Sequence, residues 1–309
     1  MSCLLGLCVW MLFHPKDEDA PKILLLIMAS LLFGPISEAV MDAESRSFPM
    51  KYDYFLYLVD KSLGVSAFSL ARFLVEWHRT ILFVIYQSLG YIMIAWYVVK
   101  LKRRDFRPDR LLISYLVTYF SGPCLYLIVP ARGPRHAFGS LFPMGNPDVS
   151  PVLVQLNGWP NAMPSLHVST ALLFVFFAGN SRLLRCLAWI YLAGTVAATL
   201  AFEHYLIDLV VAVPFACFAA LGAEGKIQKA LGNLALVLAW LVTIRFAMPA
   251  LVAYPAVLRI LTIATVGVAG FSAMSSRKSS SAALVQPLPV ESESTTAILP
   301  AQLYTQSHS

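Results

Sequence analysis

Charge is scarce in this sequence. Of its 309 residues only 13% are Asp, Glu, Lys or Arg, while 58% are hydrophobic. A soluble globular domain carries about 25% charged residues, so the balance excludes an ordinary soluble fold and leaves a polytopic membrane protein. Cysteine is sparse too. Cys3, Cys8, Cys124, Cys186 and Cys217 are scattered, mostly within apolar runs, and no Cys-x-x-Cys pair occurs. This argues against a disulfide framework or a zinc site, and the five thiols are expected to be inert and buried. No long internal repeat is visible. The net charge of +6 would suggest nucleic acid on a soluble chain. Here the basic residues sit in short segments between apolar runs, where they orient a protein in the membrane.

What is present is a series of apolar runs. Residues 3–13 are too short to span, since about 20 residues are needed, and read as an interfacial segment. Spans are expected at 23–40, with Gly34-Pro35 kinking or ending it early, and then at 80–99, 111–129, 166–179, 186–202 and 204–223. Two further spans, 231–248 and 251–271, are separated by Met248-Pro249. The fold class is therefore all-α: a polytopic membrane helix bundle of six core transmembrane helices plus about two C-terminal ones. Residues 54–78 mix Asp60, Lys61, Arg72 and Glu76 with aromatic and aliphatic residues. They read as an amphipathic helix at the interface or capping the active-site face. Residues 1–22 form an N-terminal interfacial or cytoplasmic segment and 23–273 the transmembrane domain. Residues 274–309, rich in Ser, form a disordered cytoplasmic tail.

Two stretches place ionisable residues at the edge of apolar runs, where they are costly and hence functional candidates. The first is Met163-Pro164-Ser165-Leu166-His167. Pro164 suits the first helical position, so Ser165 and His167 fall in a first turn, where free N–H groups and the helix dipole favour an anion. The second is His204-Tyr205-Leu206-Ile207-Asp208. Four-residue spacing puts His204 and Asp208 on one helix face. The carboxylate can then hold one ring nitrogen and leave the other as nucleophile or base.

These motifs resemble the type-2 phosphatidic acid phosphatase superfamily, which pairs Pro-Ser-x-His with a later His-x-x-x-Asp. The form Pro-Ser-Leu-His looks closest to the branch containing the inositol phosphorylceramide synthases. The superfamily's later motif usually carries Ser-Arg before its histidine. Here that region reads Ala197-Ala198-Thr199-Leu200-Ala201-Phe202-Glu203, without arginine. By this resemblance His204 is the nucleophile that forms a phosphohistidine, Asp208 fixes its tautomer, and His167 is the general acid. Ser165 and the helix N–H groups hold the phosphate. No metal and no cofactor are implied.

The superfamily's first signature, Lys, six residues, then Arg-Pro, is matched literally by Lys100 and Arg107-Pro108. One span separates it from His167, so it reads as a cytoplasmic topology anchor. The phosphate clamp is instead expected in Pro130-Ala131-Arg132-Gly133-Pro134-Arg135-His136, with Arg135 first and Arg132 second. His136 reads as a bystander, and Glu203 and Tyr205 as structural. Counting spans brings Arg135, Ser165, His167 and His204 to one, non-cytoplasmic, face. The loop 137–163 is expected to shape the substrate entrance.

The expected activity is an integral membrane phosphotransferase that moves a phosphoryl or phospho-headgroup from a phospholipid to an alcohol. The alternative is a phosphatase hydrolysing phosphatidic acid or an isoprenoid phosphate. Partners are lipid substrate, alcohol or water, and membrane lipids, with no nucleic acid. A proton-coupled transporter would use the same polar residues as a relay, but would show paired broken helices in two related halves. A di-histidine haem or quinone protein would show a visible absorption band.

Overall fold

The computed structural model describes residues 19–48, 51–103, 108–145 and 162–283. The expected interfacial segment 3–13, Arg107 of the basic cluster, most of the entrance loop and the tail from 284 lie outside the described residues. Ten α-helices make up the described chain: α1 Ala20–Ser47, α2 Asp53–Leu63, α3 Ala67–Leu101, α4 Pro108–Tyr126, α5 Pro134–Phe138, α6 Leu166–Phe176, α7 Arg182–Phe202, α8 Leu206–Ala223, α9 Ile227–Ala253 and α10 Pro255–Ala283. A single 3₁₀ turn, Gly139–Leu141, follows α5. The all-helical expectation holds.

Six of these helices are long and apolar enough to cross a membrane by length and composition: α1, the His78–Leu101 part of α3, α7, α8, α9 and α10. The other two expected spans are also helices. α4 carries Asp109 and Arg110 in its first turn and several hydroxyl side chains after them. α6 stops at Phe176 after 11 residues, about 16 Å at 1.5 Å per residue, shorter than the expected 166–179. It sits inside the bundle, packed on α3, α4, α7 and α8.

α8 is the hub. In its most apolar 18-residue stretch 72% of residues are buried, against 17–39% in the other five. The reason is in its sequence, Leu-Ile-Asp-Leu-Val-Val-Ala-Val-Pro-Phe-Ala-Cys-Phe-Ala-Ala-Leu-Gly-Ala. It is apolar all round, as a buried helix must be, and rich in small residues that let neighbours approach closely. α2, α4, α6, α9 and α10 all pack against it. Hydroxyls stitch the contacts: Ser169 Oγ donates to the Ala212 carbonyl at 3.3 Å and Ser114 Oγ to the Ala219 carbonyl at 3.3 Å. α10 is the opposite case, with Ile260, Ile263 and Phe271 at 65–73% exposure, a surface suited to lipid.

Several expectations are corrected. Gly34-Pro35 neither ends nor interrupts α1, which runs on to Ser47; membrane helices tolerate such pairs because neighbours satisfy the freed groups. The chain does not reverse at Met248-Pro249. A kink at Ala247 (φ −126°, ψ 18°) lies inside α9, and the reversal comes at Tyr254, just before α10 opens at Pro255. Among the described cysteines only Cys217 is buried; Cys124 and Cys186 are exposed, because their helix faces point outward from the bundle.

Residues 54–78 divide into α2 and the first arm of α3, which bends at His78 (φ −145°, ψ 26°). Asp53, Leu56, Tyr57 and Asp60 are all buried in α2, at positions that share one helix face. That face lies on the start of α8, which makes α2 a cap over the end of the bundle where the two histidines meet.

Candidate active site

The site is built where four chain segments are tied by main-chain bonds. Tyr52 N–H donates to the Pro130 carbonyl at 2.9 Å, Ala162 N–H to the Ala131 carbonyl at 3.2 Å, and Ser165 N–H to the Asp208 carbonyl at 3.3 Å. The last bond joins the Pro-Ser-Leu-His and His-x-x-x-Asp motifs directly. The 37-residue interval between the histidines is thereby closed into a single locus.

At the first motif, α6 begins at Leu166 and Ser165 is its N-cap. Pro164 is therefore two positions before the first helical residue, not in it as expected. Ser165 is fully buried, and its Oγ accepts the Val168 N–H at 3.4 Å. The earlier N–H groups of that turn, on Leu166 and His167, have no intrahelical acceptor. His167 is half-buried and lies flat against Tyr86 of α3, with ring centroids 4.0 Å apart and planes at 17°.

At the second motif the pairing is as expected but its cause is not. His204 does not share a helix face with Asp208. α8 begins at Leu206 with Tyr205 as N-cap, so His204 lies just outside the helix and Asp208 is its third residue. The Asp208 carboxylate reaches back to take the Tyr205 N–H at 2.8 Å and lies 3.3 Å from His204 Nδ1. This is a capping arrangement that also holds an imidazole. In the tautomer with its proton on Nδ1 the ring donates to this carboxylate and Nε2 keeps its lone pair. His204 is 2% exposed, and its ring centroid lies 6.5 Å from that of His167.

α2 fixes both sides of this locus. The Asp60 carboxylate takes the Leu206 N–H at 2.7 Å and the Ile207 N–H at 3.1 Å, the open donors of the α8 start. The Asp53 carboxylate takes the Arg132 N–H at 3.0–3.1 Å and the Tyr205 hydroxyl at 3.0 Å. Both acids are fully buried. Burial pushes Asp53 up to about 7 and holds Asp60 well above the usual carboxylate range, against the pull of these donors.

The two arginines expected to hold phosphate lie on this end. Arg132 is positioned through its own backbone by Asp53. Gly133 follows with φ +82°, and a Cβ there would overlap the Glu203 carbonyl oxygen. Only glycine allows this close approach. Pro134 then opens α5. Arg135 is half-exposed, its Nη1 3.7 Å from Glu203, and His136 Nε2 is 3.0 Å from the other Glu203 oxygen. Sequence reasoning set His136 and Glu203 aside as a bystander and a structural residue; the structure brings them together beside His204. Tyr205, expected to be structural, is fully buried with its hydroxyl on Asp53.

Lys100 is far from this locus. Its Nζ lies 3.5 Å from the Ala178 carbonyl, beyond the C-terminal end of α6, whereas His167 is in the first turn. Arg245, late in α9, donates to the Leu127 and Ile128 carbonyls past the end of α4 and lies over Phe48 and Tyr52.

Tyr86, Asp53 and Asp60 were not read from the sequence as site residues. Tyr86 gives no signal, being one aromatic in an apolar span. The two acids do give one. They stand seven apart, two helical turns, in an otherwise apolar amphipathic stretch. Among the described residues no group of three or more His, Cys, Asp or Glu side chains is placed to hold a metal ion.

Comparison with curated proteins and with solved structures returns no match. The family comparison does: the model of the PAP2 superfamily matches residues 55–222, more than half of the chain. The match spans both histidine motifs, the arginine segment and most of α2. The chain therefore belongs to the PAP2 superfamily, a family of phosphatases and phosphotransferases acting on lipid phosphates.

Proposed function

We propose that the protein is a lipid-phosphate phosphotransferase working through a phosphohistidine, similar to the inositol phosphorylceramide synthase-like branch. The observation that carries this reading is the buried His204–Asp208 pair facing His167 across 6.5 Å between ring centroids. Reacting atoms in a near-attack geometry stand about 3–3.5 Å apart, so one phosphoryl group fits between the rings.

His204 Nε2 attacks phosphorus, and Asp208 stabilises the imidazolium character that develops. His167 gives its proton to the leaving oxygen. An alcohol oxygen then attacks phosphorus, the N–P bond breaks with its electron pair returning to His204, and His167 takes the alcohol's proton. Arg135 and Arg132 supply permanent, planar donors for the phosphoryl oxygens as charge builds. Ser165 supports the anion through the helix start it caps, with the Leu166 and His167 N–H groups.

Residues 23–273 are taken as the catalytic domain and its active face as non-cytoplasmic. Lys102 and Arg103 after α3, and Arg182 and Arg185 at the start of α7, lie at the helix ends away from the histidines. Excess basic charge marks a cytoplasmic side.

The test uses purified protein in detergent with EDTA. Phosphatidylinositol, phosphatidic acid and polyprenyl phosphates are supplied with and without alcohol acceptors, and inorganic phosphate and new phosphate esters of the acceptor are followed. An acceptor-dependent ester, a diester from phosphatidylinositol or a monoester from the other donors, that disappears in His204→Gln is expected. Undiminished turnover in that variant would remove the nucleophile assignment. Phosphate release alone would make the protein a lipid phosphatase.

A further inference from the structure

The mechanism above uses neither Glu203 nor His136. Yet Glu203 is the residue before the nucleophile and is 7% exposed. A carboxylate so close to a phosphorylated histidine opposes phosphate binding, because like charges repel strongly where water is excluded. It is held between two cation-capable groups, Arg135 Nη1 at 3.7 Å and His136 Nε2 at 3.0 Å. Both stand on α5, on the solvent side, with side chains 50% and 47% exposed. Tyr86, the wall behind His167, lies within electrostatic range of Glu203 and Arg135. The group therefore lies close to the histidine pair, with Arg135 and His136 toward solvent.

A carboxylate here is a poor ligand for an anion and a good one for neutral hydroxyls. Its two oxygens offer about four acceptor positions, and the buried Oε2 takes no hydrogen bond among the described residues. An imidazole beside it adds a donor or an acceptor. Adjacent hydroxyls on one molecule fit such a pair; a lone fatty alcohol gives it one contact, and an anionic acceptor is repelled.

We propose that Glu203 and His136 form the acceptor subsite, and that the acceptor is a polyol or sugar with adjacent hydroxyls. This rests on the phosphohistidine reading above. The subsite orients one hydroxyl oxygen toward the phosphorus on His204. That oxygen forms the new P–O bond, the N–P bond breaks toward His204, and the hydroxyl proton passes to His167, which lost its own to the donor's leaving oxygen. No other reactant is needed. Glu203 and His136 determine which acceptor competes with water.

The experiment measures partition. Full-length protein in detergent receives phosphatidic acid with glycerol, myo-inositol or 1-octanol, and the ratio of the acceptor's phosphomonoester to inorganic phosphate is recorded. Glu203→Gln keeps the side-chain volume, and His136→Asn changes a half-exposed residue, so at least one variant is expected to fold, as checked by gel filtration. The polyol ratio is expected to fall by about tenfold or more in each folded variant, the effect of losing a hydrogen bond to a charged group, while the octanol ratio changes far less. A polyol ratio equal to wild type, or equal falls for polyol and octanol, overturns the subsite alone. A wild-type protein that releases only phosphate with every acceptor overturns the subsite and the transferase reading together.

Discussion

The Asp60 carboxylate braces the start of α8 beside the two histidines, and replacing it by Asn tests that directly. Asp60 is fully buried on α2 and accepts the N–H groups of both Leu206 and Ile207. Asn has the same shape but offers one acceptor oxygen, and its amide nitrogen faces the second N–H with hydrogens of its own. One buried donor is left unmet, which costs about 1–3 kcal/mol. At roughly 2–4 °C per kcal/mol, the apparent melting temperature in detergent should fall by a few degrees. Turnover should fall as well, because Asp208 and the His204 backbone are set by the same helix start. The control is Asp42→Asn, where a part-exposed carboxylate pairs with Arg46 one helical turn on and about 0–1 kcal/mol is at stake. If Asp60→Asn melts and turns over like the control, α2 is not the brace described here.

Asp53 gives a pH test. Its folded carboxyl is pushed up by burial to about 7 from the usual 3.8, so between those values the folded protein keeps a proton that the unfolded chain has lost. Its contribution to stability is full below about pH 4 and is lost as pH rises through about 7, with a slope of at most about 1.4 kcal/mol per pH unit. Melting temperatures of Asp53→Asn should decline less than wild type from pH 5 to 8; parallel curves would refute this. Gly133→Ala should lower both stability and turnover, since its φ of +82° and the Glu203 carbonyl leave no room for a methyl group; strain of this kind costs about 1–3 kcal/mol. A variant with wild-type melting and kinetics would contradict the close packing. Lys100→Met should leave the chemistry near the wild-type rate, because the ammonium lies at the other end of α6. A loss comparable to that of His204→Gln would reverse the sidedness argument.

The all-helical architecture was legible because apolar runs of membrane length are the strongest signal a sequence offers. Helix ends were less so. α6 ends at Phe176 although Phe177 and Ala178 continue the apolar run, and hydropathy has no term for a short helix enclosed by others. In the site, side-chain identities were legible and their local frames were not. His204 and Asp208 stand four apart in either a helix or a capping turn, so spacing alone gives their contact but not the geometry behind it. The Glu203–His136 contact joins residues 67 positions apart. It depends on Gly133 adopting a positive φ, which no pattern of residue types encodes. Lys100 shows the converse: a literal motif match was outweighed by counting crossings.

The bond from Ser165 N–H to the Asp208 carbonyl has a consequence for variation in this chain. The backbones that carry the two histidines are joined there by peptide groups, so exchanges other than to proline at Ser165 leave the bond in place. Mutation can shift those backbones by tilting α6 against α8, through contacts such as Ser169 on Ala212, and the rings themselves also answer to Tyr86 and Asp208. Alterations that retune the distance between the two imidazoles should therefore gather along that helix seam and at those two side chains, while the half-exposed rim at His136 stays free to diversify.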